Sequence, residues 1–152
     1  MPASTTSFLF PDINVWVALT HAAHVHHDVA RDWFSELPTH TRFSFCRLTQ
    51  LGFLRLLTAE VVMGDEVLSQ KEAWAIYDRW MEDRRVTLID EPPALERRFR
   101  ALTCSRQASP KAWADAYLAA FADVAQLTLV TFDGGFRAKV GSLILLAESP
   151  AD

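Results

Sequence analysis

Three aspartates each stand just beyond a short apolar run: Asp12 after residues 8–10 and Pro11, Asp90 after residues 86–89, and Asp133 after residues 127–131. Taken singly, each is an ordinary turn or helix-capping acid. Asp115 differs. From residue 112 to 122 the chain reads AWADAYLAAFA, and Asp115 is its one charged residue. Ser109 and Pro110 supply an N-cap and a first-turn proline for that segment, which predicts a helix over 110–124. A helix apolar on every face is a buried one, and a lone carboxylate inside it costs several kcal/mol unless it is paired or metal-bound. Two readings stay open. Lys111, four residues earlier, reaches the same face and forms an ion pair with Asp115; or Asp115 faces other carboxylates across a cation. Carboxylates that converge repel one another unless a divalent ion neutralises them, and oxygen-only ligands suit Mg²⁺ or Mn²⁺. Such an ion polarises a phosphodiester and acidifies a bound water. With no evident nucleophilic Ser or Cys, that chemistry is phosphodiester hydrolysis.

The elements that must position these acids alternate in type. Residues 8–10, Arg42–Phe45, 86–89, 127–131 and 143–146 read as strands. Helices are expected from Ile13 through Leu19, over 28–37 before Pro38, along the stripe Leu48, Leu51, Leu54 and Leu57, and over 93–102 and 110–124. Another begins at Ser69, with Glu72 completing a capping box and Trp74, Tyr77 and Met81 turned inward. Strands alternating with helices give an α/β fold, an α/β/α sandwich with a mainly parallel central sheet. In such sheets ligands bind beyond the carboxyl ends of the strands, where the acids lie.

At 152 residues the chain is read as a single domain with its core over about 8–147. There is no internal repeat and no low-complexity tract. No 18-residue apolar run is present, so no membrane span is expected. Residues 1–7 carry no basic residue ahead of their apolar neighbours and do not read as a signal peptide. Cys46 and Cys104 are expected to be reduced core thiols, and the protein cytoplasmic. The net charge of −4 disfavours holding nucleic acid by bulk electrostatics, although a carboxylate site lowers net charge by itself. Arg97, Arg98, Arg100, Arg106 and Lys111 face Glu96 alone, a phosphate-holding patch or a solvated helix face.

Three stretches together resemble the motifs of PIN-domain nucleases. Phe10-Pro11-Asp12-Ile13-Asn14-Val15-Trp16 is similar to the first, with an Asp ending strand one and an Asn two residues later. Trp113-Ala114-Asp115-Ala116-Tyr117-Leu118-Ala119-Ala120 resembles the third, and Thr131-Phe132-Asp133-Gly134-Gly135-Phe136 the last. Order and spacing agree over nearly the whole chain, and the small size points to the VapC toxin branch. The resemblance implies a PIN-like sandwich and a metal-dependent endoribonuclease that hydrolyses RNA through a metal-activated water, leaving a 5′-phosphate. Asp12 and Asp115 would be the principal Mg²⁺ ligands, Asp133 would hold the metal through water or a second position, Asn14 would orient Asp12 or a water, and Thr131 would support the loop. It implies a cognate VapB-type antitoxin that neutralises the toxin, with a groove beside the site, and a homodimer. The residues Leu51, Phe53, Leu54 and Leu57 and the pair Trp33-Phe34 are candidate partner surfaces or core.

One position departs from the motif set. Where the family places a Glu six residues after a Ser, Ser44 here leads to Gln50. Gln50 offers a neutral oxygen ligand or a hydrogen bond, and the alternative is a catalytically weakened PIN domain that works by binding RNA or antitoxin. A haloacid-dehalogenase-like phosphatase would need an Asp at position 14, which is Asn. Asp90 matches no motif. His21, His24, His26 and His27 suggest zinc but read as capping or surface histidines. The five tryptophans at helical apolar positions read as core, with Trp16 and Phe136 the two candidates for base stacking.

Overall fold

The computed structural model describes residues 6–146; expectations made for residues 1–5 and for residue 147 lie outside them. Five short strands, β1 (Phe8–Pro11), β2 (Arg42–Phe45), β3 (Val86–Leu88), β4 (Thr128–Thr131) and β5 (Leu143–Leu145), form one sheet in the order β3-β2-β1-β4-β5. Every pairing is parallel. Parallel neighbours need crossovers, and helices supply them. They are α1 (Ile13–Thr20), α2 (His27–Ser35), α3 (Arg47–Leu57), α4 (Glu60–Met63), α5 (Gln70–Glu82), α6 (Leu95–Leu102) and α7 (Ala112–Ala125).

The two faces of the sheet bury separate cores, because successive strand residues point to opposite sides. On one face Val15, Trp16, Phe53, Leu57 and Tyr77, from α1, α3 and α5, pack with Phe43 and Phe45. On the other, Leu95, Leu118 and Phe121 of α6 and α7 pack with Phe10 and Leu129. The result is an α/β/α sandwich. The expected strands and long helices appear within one to three residues of their expected bounds. Helix α4 and two single-turn 3₁₀ segments, Gly64–Glu66 and Gly134–Ala138, were not foreseen, since three to five residues are too few to show a helical period.

The capping box at Ser69 and Glu72 is present in both directions, with bonds of 3.0 and 3.1 Å. Several burial expectations need correction. Of the stripe on α3, Leu57 is buried and Leu48 and Leu54 pack partly buried against the cores, but Leu51 is 60 % exposed, and Gln50 and Phe53 are buried on the helix instead. Trp74 and Trp113 are also exposed, because the solvent-facing turns of α5 and α7 carry them. Trp16, stacked on Phe45 with ring centroids 4.0 Å apart, and Phe136 are both buried. Neither is available for base stacking. Cys46 is a core thiol, but Cys104 is exposed in the loop after α6.

Candidate functional site

In the strand order, the chain winds from β1 to one side through β2 and β3 and later adds β4 and β5 on the other. The winding reverses at β1, and the crevice beyond the carboxyl ends of β1 and β4 is where such sheets hold ligands. Asp12 and Asp133 leave those two strands there.

Asp12 caps α1 as expected of a helix-start acid. Its Oδ1 accepts the Val15 N–H at 3.1 Å, and the Asn14 backbone N–H also supports the carboxylate. Its Oδ2 accepts the hydroxyl of Thr131. That hydroxyl in turn accepts the Asp133 N–H at 3.0 Å. Thr131 is wholly buried, so one fixed hydroxyl ties the end of β1 to the end of β4. Asp12 is buried too. Burial pushes its carboxyl up to about 6; the Thr131, Val15 and Asn14 hydrogen bonds oppose this, and the charge of Asp115 adds to it.

Asp115 sits in the first turn of α7. The helix begins at Ala112 with Lys111 as its cap residue, not at Ser109, and its first turn is partly solvated. Asp115 is therefore half-buried, and the buried part of the helix starts at Ala116. Burial raises its carboxyl above the ordinary value, Lys139 lowers it, and Asp133 raises it. Among the described residues no Lys or Arg forms an ion pair with Asp12, Asp115 or Asp133, so the Lys111 pair is not formed. Asp133 is exposed and caps the following 3₁₀ turn, its Oδ1 accepting the Gly135 N–H at 2.8 Å. Asp115 thus stands within electrostatic reach of both Asp12 and Asp133.

Asn14 is exposed, and the contact it makes with Asp12 is through its backbone. Gln50 is buried on α3, but its Oε1 accepts from Arg47 at 2.6 Å and it bonds to none of the aspartates. Asp90 lies just past β3, in a small notch of ≈ 70 Å³ with Arg47, Glu91 and Tyr117. The histidines are structural: His21 Nδ1 lies 3.1 Å from Glu66, His27 Nδ1 bonds the Ala18 carbonyl at 2.7 Å, and His26 stacks on Phe132. Within the basic segment Arg98 pairs with Asp123 and Arg100 with Glu96, a solvated face. Lys139 escaped the sequence reading. Nothing local marks it, because only the fold brings it to Asp115.

Among the described residues no three His, Cys, Asp or Glu side chains converge as a compact metal cage. Asp12 and Asp115, neither in an ion pair with a Lys or Arg among the described residues, offer the one or two carboxylates by which Mg²⁺ is held with several waters.

The family model described as PIN domain matches residues 9–141. The chain is 41 % identical over 145 residues to Ribonuclease VapC41 of Mycobacterium tuberculosis, covering 92 % of this chain and 99 % of that protein. Among solved structures it resembles VapBC2 from Rickettsia felis bound to a promoter DNA fragment, with TM-score 0.67 and 13 % identity over 92 % of this chain and 99 % of that one. It also resembles Mycobacterium tuberculosis VapC20, a sarcin-ricin loop cleaving toxin, with TM-score 0.61 and 20 % identity over 86 % and 93 % of the two chains. The matched model and the extent of identity place this chain in the PIN-domain family, in its VapC group.

Proposed function

We propose that the protein is an Mg²⁺- or Mn²⁺-dependent endoribonuclease, a single PIN domain acting in the cytoplasm as the toxic member of a VapBC-type pair. The observation that carries this reading is Asp12: a buried carboxylate at the end of the central strand, without a basic partner among the described residues, exposed to the charge of Asp115. Such a group is costly to fold unless a cation uses it. Asp12 and Asp115 would hold the ion, with Asp133 reaching it through water.

When bound, the ion supplies charge neutralisation at the phosphodiester and acidification of a water. The chain does the rest. Thr131 fixes the orientation of the Asp12 carboxylate, and the first-turn amides of α1 hold its other oxygen. Lys139 offsets part of the negative charge beside Asp115 as a polyanionic strand approaches. Hydrolysis breaks the bond between phosphorus and the 3′ oxygen; water supplies the hydroxyl of the 5′-phosphate and its proton goes to the 3′-hydroxyl. An RNA substrate accords with the relatives named ribonuclease and with the sarcin-ricin loop cleavage named for VapC20. A cognate antitoxin accords with the VapBC2 pair, and a homodimer is proposed with it. A weakened enzyme remains the second reading, favoured by Gln50 binding Arg47 instead of joining the aspartates.

The test is cleavage of a mixed RNA pool by purified protein with Mg²⁺, Mn²⁺ or EDTA, alongside Asp115→Asn. Cleavage that needs the metal and is lost in Asp115→Asn is expected. Cleavage that persists in EDTA would sink the metal-dependent reading. A wild type silent with every metal would favour the binding-only reading.

A further inference from the structure

Gln50 leaves a loose end that its neighbour resolves. Arg47 is the first residue of α3, exposed at the sheet's carboxyl edge. The register sets it beside the site. Phe45 pairs with Leu88, Leu9 with Phe43 and Pro11 with Val130, so one step beyond the strands Asp12, Thr131, Cys46 and Ile89 end at one level. Neighbouring strands lie about 4.8 Å apart. Arg47 follows Cys46 directly, so its backbone stands one strand over from Asp12, while its side chain lines the notch on the β3 side with Leu88, Ile89 and Asp90.

Its environment there is unusual for an arginine. A cation in the first turn of a helix sits against the positive end of the helix dipole, which disfavours it. Among the described residues Arg47 forms no ion pair, although it lines a notch with the acids Asp90 and Glu91. The Glu91 carboxylate accepts the Tyr117 hydroxyl at 2.9 Å instead. What Arg47 does bond is the neutral Oε1 of buried Gln50, at 2.6 Å. One of its five N–H donors is used, so the guanidinium is held by a neutral partner, with Asp90 and Glu91 in the same notch but not in an ion pair with it. A Glu at position 50 would pin the same guanidinium and neutralise it.

Resting on the ribonuclease reading, we infer that Arg47 binds a backbone phosphate of the single-stranded RNA next to the cleaved bond, and that Gln50 is the residue that positions it. The local need is plain. An RNA strand entering this edge meets Asp12, Asp115 and Asp133, with Asp90 and Glu91 close by, and Lys139 already acts on Asp115. Arginine gives a planar fork suited to phosphate. Gln50 is then not a failed metal ligand. It holds the guanidinium in place without spending its charge.

The experiment is fluorescence anisotropy of a labelled single-stranded RNA oligonucleotide with the full chain in EDTA, over a range of salt. A calorimetric Mn²⁺ titration without RNA runs beside it. The variants are Arg47→Ala, Arg47→Lys and Gln50→Glu. Arg47→Ala is expected to weaken RNA binding about tenfold and to lower the salt slope by about one. Arg47→Lys should keep the slope. Gln50→Glu should weaken RNA binding as Arg47→Ala does, and lower the slope likewise. Mn²⁺ affinity should stay at the wild-type level in all three. Arg47→Ala and Arg47→Lys should melt close to wild type, since Arg47 is exposed; Gln50→Glu, at a buried position, should melt lower, and its RNA and Mn²⁺ binding are read below its melting temperature.

Arg47→Ala binding RNA with wild-type affinity and slope would overturn the inference while leaving the ribonuclease reading intact. Gln50→Glu that tightens Mn²⁺ binding and raises cleavage would overturn it in favour of Gln50 as a weakened ligand position. A wild type that neither binds nor cleaves RNA would remove both readings together.

Discussion

Asp12→Asn should make the metal-free protein more stable while ending its activity. A carboxyl raised from 3.8 to about 6 holds its proton more tightly folded than unfolded. The folded state therefore binds more protons between those two values, and stability falls as pH rises through that window. By pH 8 the buried carboxylate costs folding about 3 kcal/mol, and about half of that at pH 5. Asparagine carries no charge, so the cost disappears. It keeps one acceptor oxygen where the carboxylate used two, for Val15 N–H and for Thr131, and losing one such bond costs about 1 kcal/mol. The net gain at pH 8 is about 2 kcal/mol, which for a chain of this length raises the melting temperature by about 4–8 °C. The gain should nearly close at pH 5. The assay is thermal melting in EDTA at pH 5 and pH 8, with RNA cleavage in Mg²⁺ measured on the same preparations. Asp12→Asn melting at or below wild type at pH 8, or a gap equal at both pH values, would refute the claim that Asp12 is an uncompensated buried charge.

Two further substitutions probe the frame around that carboxylate. Thr131→Val removes the hydroxyl that donates to Asp12 and accepts from Asp133 N–H; it should cost about 1–3 kcal/mol in urea unfolding and move the acid limb of the cleavage pH profile upward, because the Thr131 bond lowers the Asp12 carboxyl. Gly52→Ala would place a Cβ in overlap with the Ile13 Cδ1 and 2.8 Å from its Cγ1, where α3 crosses α1; a loss of about 1–3 kcal/mol is expected, partly restored by pairing it with Ile13→Val, and equal melting of Gly52→Ala and wild type would contradict that close approach.

The residue pattern by itself determined the order of strands and helices, because apolar runs of four and amphipathic runs of ten are local properties with local periods. It also singled out Asp115, as a lone charge in an apolar segment, and linked Asp12, Asp115 and Asp133 through their motif spacing. What it could not weigh was how much of each helix the rest of the chain covers. Leu51, Trp74 and Trp113 are apolar at helical spacing yet exposed, and Asp115 is half solvated, because burial depends on which neighbours arrive from distant sequence. The site's frame is tertiary for the same reason. Thr131 meets Asp12 across 119 residues, and Lys139 reaches Asp115 from a turn with no signal of its own. Gln50 shows the division most clearly. In the sequence it is a carboxylate missing from a motif; in the fold its oxygen is held by Arg47. Three residues separate the two on one helix, but only the folded edge shows that among the described residues this arginine forms no ion pair.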